Sequence, residues 1–257
     1  MKVTVCELNP GDGARDEDLS ALAAHIKQEQ SDFLLLPEMA FSKWLAADPT
    51  PNPKKWADAV DSHARYISKL SSLGVKAIVG TRPIINASGS PRNQAYVWDP
   101  ETGAKGFHDK YYLPDEPGYW EHSWYDRGDK QFDTARALGM RIGVQICTEM
   151  WFFEWARHYA KSKIDLLCVP RATTHEGLDR WLAGGRSAAV CAGAYCLSSN
   201  LWRPEGDTAN CGGMGWIIDP DGNVLATTDQ SKKFATAEID LAEARAAKTA
   251  YPRYVRE

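Results

Sequence analysis

Three short segments place a side chain able to do chemistry at or near the end of an apolar, strand-like stretch. They are Leu34-Leu35-Leu36-Pro37-Glu38-Met39, then Phe107-His108-Asp109-Lys110 with Leu113-Pro114 following, then Gly143-Val144-Gln145-Ile146-Cys147-Thr148-Glu149. In open α/β sheets the ligand crevice lies beyond the carboxyl ends of the strands, so these are positions where a site would form. A cysteine between a buried strand and the start of a helix is expected to have its pKa lowered by the helix N-terminus and a nearby cation, which makes Cys147 a candidate nucleophile. Glu38, partly desolvated after Pro37, is the candidate general base for the thiol proton. Lys110 supplies fixed positive charge where an oxyanion would develop, alongside the backbone N–H of Thr148. Taken singly, each has an ordinary structural reading: a free Cys is readily buried as a small hydrophobe, and a Glu or Lys beside a strand is usually solvated. The chemistry is carried by the set.

The elements that must position these residues follow from periodicity. Val3 to Leu8 and Phe33 to Leu36 read as strands, and Asp16 to Gln30 between them puts Leu19, Leu22, Ala23 and Ile26 at helical spacing. Trp56 to Leu73 is a second helical pattern, closed by Gly74 before a strand from Val75 to Gly80. Met140 to Ile146 and Ile164 to Val169 are further core strands, with an aromatic helix from Trp151 to Lys161 between them. Two passages share a strand-turn-strand design: Ala95 to Trp98 runs into Asp99-Pro100-Glu101-Thr102-Gly103, and Gly215 to Ile218 into Asp219-Pro220-Asp221-Gly222-Asn223. Each reads as a β-hairpin, and their recurrence hints at two similar halves. Nothing in composition breaks the chain, so residues 1–257 read as a single domain.

Composition narrows the function classes. The chain has 257 residues, 44% hydrophobic and 25% charged, values of an ordinary globular protein. Lys plus Arg is 30 against Asp plus Glu 34, a net charge of −4, so no basic patch invites nucleic acid. The longest apolar run, Ala188 to Leu197, is about half of a membrane span, and the N-terminus has no signal-peptide architecture, which makes a cytoplasmic location the expectation. Six scattered cysteines form no C-x-x-C pair, and the six histidines form no H-E-x-x-H or similar spacing, so neither a disulfide scaffold nor a metal is expected.

With their flanking residues, the three segments resemble the carbon–nitrogen hydrolase family, the nitrilase superfamily. The order and spacing of its Glu, Lys and Cys motifs are matched by L-L-L-P-E-M, H-D-K-Y-Y-L-P and G-V-Q-I-C-T-E-M-W-F-F-E-W-A-R. A fourth match, Pro117-Gly118-Tyr119-Trp120-Glu121, is similar to the segment in which N-carbamoyl amidohydrolases carry a second Glu, and the likeness continues to Ala237-Glu238-Ile239-Asp240. The resemblance implies an α/β fold, a four-layer αββα sandwich of two similar halves, commonly a homodimer or higher homo-oligomer. It implies Cys147 as nucleophile, Glu38 as general base, Lys110 as oxyanion stabiliser and Glu121 as a support for Lys110 or the hydrolytic water, with no cofactor. The implied reaction is hydrolysis of a small-molecule amide or N-carbamoyl group through a Cys thioester with release of ammonia. A nitrile substrate at the same site, and a non-catalytic binding protein of the same fold, are the alternatives. Departures bear on substrate. Glu149 and Phe153 stand where many amidase-like members have Asp and Pro, Thr148 where nitrilases have Trp, and Pro170-Arg171-Ala172-Thr173 replaces the common Pro-Thr-Ala.

Substrate-binding candidates follow from position. Trp44, Trp120, Trp124, Trp151, Trp155 and Trp181 lie close in sequence to the site segments, and two or more are expected to line an apolar pocket. Arg171, after a core strand and Pro170, is the candidate cation for a substrate carboxylate, and Glu149 a candidate substrate contact.

Overall fold

A computed structural model describes residues 1–202, 211–229 and 231–255. The first half runs β1 (Lys2–Leu8), α1 (Ala14–Glu29), β2 (Phe33–Leu35), α2 (Pro53–Ile67), β3 (Ala77–Ile85), β4 (Pro91–Asp99) and β5 (Gly103–Asp109). A connector carrying the short α3 (Glu121–Trp124) leads to β6 (Ala135–Ala137). The second half then repeats the plan: β7 (Met140–Val144), α4 (Phe153–Lys161), β8 (Leu166–Arg171), α5 (Leu178–Ala192), β9 (Tyr195–Leu201), β10 (Trp216–Ile218) and β11 (Val224–Thr227). The strand β12 (Phe234–Glu238) and α6 (Leu241–Ala247) follow.

Each half pairs its first three strands in parallel and adds an antiparallel hairpin at one edge. β12 returns to pair antiparallel with β1, so the second half's chain closes the first half's sheet. The two sheets touch at a corner where Glu7 pairs with Asn200 and Leu8 with Leu201. Both sequence-predicted hairpin turns stand at equivalent places. Asp99 accepts from the N–H groups of Glu101 and Thr102, and Asp219 from those of Asp221 and Asn223, as Asx turns do.

Strand alternation decides the layers. Val3, Val5, Phe33, Leu35 and Val79 face Ile142, Val144, Leu166, Cys168 and Leu197 in a core between the sheets. The intervening residues Cys6, Leu34, Leu36 and Ile78 pack outward with Leu22 and Ile26 of α1. On the far side Leu167, Val169 and Cys196 pack with Tyr159 of α4 and Ala188, Ala189 and Ala192 of α5. The result is the αββα sandwich.

Three elements differ from the sequence reading. The second helix ends at Ile67, and Leu70–Leu73 forms a separate 3₁₀ turn before Gly74, which is left-handed as expected. The aromatic helix starts at Phe153, because Trp151 belongs to a 3₁₀ turn, Cys147–Trp151, that carries the nucleophile candidate. α5 has little apolar periodicity to read: its inner face is Gly184, Gly185 and alanines. A Cβ at Gly184 would lie 2.8 Å from Met150 and Trp151, and one at Gly185 2.8 Å from the Trp216 ring. Gly184 lets α5 close against the Cys147 turn, and Gly185 lets it close against β10.

Candidate active site

Glu38, Lys110, Glu121 and Cys147 reach one place from four separate segments. Glu38 follows β2, Lys110 follows β5, Glu121 opens α3, and Cys147 opens the 3₁₀ turn after β7. The Lys110 ammonium bridges both carboxylates, 2.8 Å from Glu38 Oε1 and 2.6 Å from Glu121 Oε2. All three charged side chains are 0% exposed and Cys147 is 3% exposed. A lysine ammonium has three donors, so after its two carboxylate bonds one remains.

Two further residues hold the set, and the sequence reading did not single them out. Asn93 of β4 donates its amide to Glu38 Oε1 at 2.8 Å, and Tyr125 donates its hydroxyl to Glu121 Oε2. Tyr125 is one helical turn from Glu121, a spacing that signals contact. Asn93 had only the oddity of an amide inside a strand. Glu38 Oε2 is buried without a hydrogen-bond partner, so its lone pairs are unspent.

Backbone conformation sets how Cys147 is presented. Cys147 has φ 52° and Met39, directly after Glu38, φ 45°, both in the left-handed region that non-glycine residues rarely enter. Such strain persists only where the surroundings fix it, and it gathers at functional sites. Met39 is held by its N–H on Thr81 Oγ1 at 2.8 Å. The Cys147 turn is closed by Glu149 N–H on the Ile146 carbonyl at 3.1 Å and by the Gln145 amide on the Glu149 carbonyl at 2.7 Å.

The electrostatics correct one expectation. Cys147 does not begin a long helix, and its thiol is pushed up rather than down. Burial contributes most and Glu38 and Glu121 add to it, against Lys110 and the Ala172 N–H, which favour the thiolate. Cys147 therefore rests as a thiol with a carboxylate beside it. Burial opposes charge on Lys110, yet Glu121 and Glu38 outweigh it and hold the ammonium firmly protonated. Burial pushes Glu121 up to about 7 against the pull of Lys110, with Glu38 raising it further.

Cys147 and Thr148 line a cavity of about 720 Å³ with Tyr112, Tyr119, Trp151 and Trp181 in its wall. The rings of Trp151 and Trp181 are 4.9 Å apart. The other four of the six candidate tryptophans do not line it. Trp155 stacks on Phe132 at 3.9 Å, and Trp44, Trp120 and Trp124 pack in a cluster behind Met39. Trp120, expected as a substrate contact, is half-buried in that cluster.

The readings of Arg171 and Glu149 as substrate contacts are corrected. The Arg171 guanidinium is fully buried, with Nε on Ser198 Oγ at 2.7 Å, Nη1 on Thr173 Oγ1 at 2.9 Å and Nη2 on the Met214 carbonyl. It lies 4.1 Å over the Trp216 ring, spent on protein oxygens and an aromatic face rather than offered to a carboxylate. Glu149 uses both oxygens inside the protein, Oε1 on Tyr111 N–H and Oε2 on His108 and on Ile146 N–H, each at 2.8 Å. Among the described residues no group of three or more His, Cys, Asp or Glu could hold a metal ion, and no helix is long and apolar enough to cross a membrane.

Residues 2–249 match the carbon-nitrogen hydrolase family. A citrullinase from Francisella tularensis is 27% identical over 162 residues, 59% of this chain and 57% of that protein. An N-carbamoylputrescine amidase from Arabidopsis thaliana is 28% identical over 164 residues, 58% of this chain and 55% of that protein. The chain thus spans little more than half the length of these curated relatives. A carbon-nitrogen hydrolase from Helicobacter pylori shares the fold with a TM-score of 0.83 at 20% identity, covering 99% of this chain and 94% of that one.

Proposed function

The chain belongs to the carbon–nitrogen hydrolase family, and we propose that it hydrolyses a non-peptide C–N bond, an amide or N-carbamoyl group, through a thioester on Cys147 with release of ammonia. The observation that carries this reading is one ammonium bridging two buried carboxylates beside a strained, buried cysteine at a cavity floor. A binding surface needs no such set. The names of the two curated relatives, a citrullinase and an N-carbamoylputrescine amidase, favour a ureido group as the bond's context.

In this reading the unpartnered Oε2 of Glu38 accepts the thiol proton as Sγ attacks the carbonyl carbon. The oxygen's developing charge meets the remaining Lys110 donor and the Thr148 N–H. Glu38 returns the proton to the departing nitrogen, ammonia leaves, and a thioester remains. Water, deprotonated by Glu38, then attacks the thioester and Cys147 is restored as a thiol. Glu121 fixes the ammonium and balances its charge. Trp151 and Trp181 bound the acyl group. Because both oxygens of Glu149 are spent inside the protein, it is not free to contact the substrate.

The test is ammonia release from N-carbamoyl amino compounds, ω-amides, simple amides and nitriles, each with wild type and Cys147→Ala. Release by wild type that vanishes in the variant, with the best kcat/KM on an amide or N-carbamoyl compound, is the expected outcome. A best kcat/KM on a nitrile would overturn the bond assignment, and release that persists in the variant would overturn the nucleophile.

A further inference from the structure

We propose that the buried His108–Glu149 pair is a positioning device that locks the lysine segment to the nucleophile turn, so that breaking it lowers kcat and leaves KM in place. The inference rests on the reading of Cys147, Lys110 and Glu38 as the reacting set. Lys110 is bracketed in sequence by His108, two residues before, and Tyr111, one after; Cys147 is bracketed by Ile146 and Glu149. One carboxylate ties these brackets together. Glu149 Oε1 accepts from Tyr111 N–H, and Oε2 accepts from His108 Nε2 and Ile146 N–H, all at 2.8 Å. Both side chains are 0% exposed, and neither lines the cavity.

The other side of His108 is fixed as well. Nδ1 meets the Gln131 carbonyl at 3.0 Å, and the ring packs 4.5 Å from Phe132. With one nitrogen on a carbonyl and the other on a carboxylate, both nitrogens donate, which is the imidazolium form. Burial disfavours that charge, but Glu149 outweighs it and the His108 pKa is raised. The pair is therefore a buried ion pair whose net charge is zero. Removing one charge alone leaves the other buried without its partner, whereas removing both together does not.

The device also bears on strain. Cys147 at φ 52° needs its turn held from outside, and the Ile146 N–H bond is a hold applied directly before it. The same carboxylate fixes Tyr111 directly after Lys110, so lysine and cysteine are aligned by one group. His108 and Glu149 touch no reacting atom, so their influence is on alignment.

The test compares Glu149→Gln, His108→Gln and the double variant in the full chain, on the best substrate of the ammonia panel. Glu149→Gln is expected to lower kcat on the order of 10–100-fold, as loss of a supporting contact does, with KM changed less than about twofold. The double variant pairs amide with amide and is expected to recover about tenfold or more of that loss. Full kcat in Glu149→Gln, a loss confined to KM, or a double variant whose losses simply multiply would overturn the positioning role. Where Glu149→Gln fails to fold, His108→Gln keeps the carboxylate but removes its charge partner, which loosens the carboxylate's hold on Tyr111 and Ile146. It is then expected to lose kcat with KM unchanged, and unchanged kcat would overturn the proposal. Persistence of ammonia release in Cys147→Ala would instead overturn the underlying reading, so the two failures are distinct.

Discussion

The second strand of each half ends in proline followed by a charged residue, Leu36-Pro37-Glu38 after β2 and Val169-Pro170-Arg171 at the end of β8. The two ends touch: the Glu38 N–H donates to the Arg171 carbonyl at 3.2 Å, and both side chains are 0% exposed. Their fates differ. Glu38 shares one oxygen between Asn93 and Lys110 and keeps the other without a partner. Arg171 spends Nε, Nη1 and Nη2 on Ser198, Thr173 and Met214 and its face on Trp216. Burial lowers Arg171 to about 10. A repeated fold thus delivers two equivalent buried ends. Of these two ends, Glu38 keeps one oxygen without a partner, whereas Arg171 has each of its side-chain nitrogens bonded.

The contrast breaks most readily at Glu38. Glu38→Gln keeps an acceptor and the volume but removes the base, and kcat/KM in the ammonia assay is expected to fall on the order of 10³-fold. A loss below about tenfold would deny Oε2 its role as proton acceptor. Arg171→Met is expected to act on the fold instead. It strips three protein oxygens and an aromatic face of their partner, for a loss of about 3 kcal/mol in denaturant unfolding. KM should shift equally for carboxylate-bearing and neutral substrates. A rise confined to the carboxylate-bearing ones would return Arg171 to substrate binding.

A smaller effect belongs to Glu7, at the corner where the sheets meet and within electrostatic reach of Arg171. Burial pushes it up to about 7, against Thr228, Arg171 and the Gly213 N–H. The folded protein therefore holds this proton over a pH range in which the unfolded chain has released it. The linked stability is fully present below the unfolded carboxylate's range and is lost as pH rises through about 7. Between pH 5 and 8 this amounts to roughly 2–3 kcal/mol, and Glu7→Gln should flatten the slope in urea unfolding at the two pH values. An unchanged slope would show that Glu7 does not hold the proton.

How much of this was legible in the sequence depended on the distance over which each residue finds its partners. The strands, α1 and the two hairpin turns are local patterns, and the paired Asx turns betrayed the repeat. Glu38, Lys110, Glu121 and Cys147 were singled out by the motifs around them, although the Lys110–Glu38 contact spans 72 residues. Arg171 and Glu149 were misread because each sits near the site in sequence while its partners come from elsewhere: Ser198 is 27 residues from Arg171, and His108 is 41 from Glu149. The thiol's upward shift was hidden for the same reason, since it depends on burial and on two carboxylates arriving from the first half and the connector. α5 escaped because close approach selects glycine and alanine, which carry no apolar period.

The most direct test of the central claim is intact mass with peptide mapping, on protein acid-quenched during turnover of the best substrate of the panel. The account predicts an adduct of the acyl mass on the Cys147 peptide, absent from Cys147→Ala, which releases no ammonia. An unmodified Cys147 together with undiminished ammonia release from the variant would contradict it.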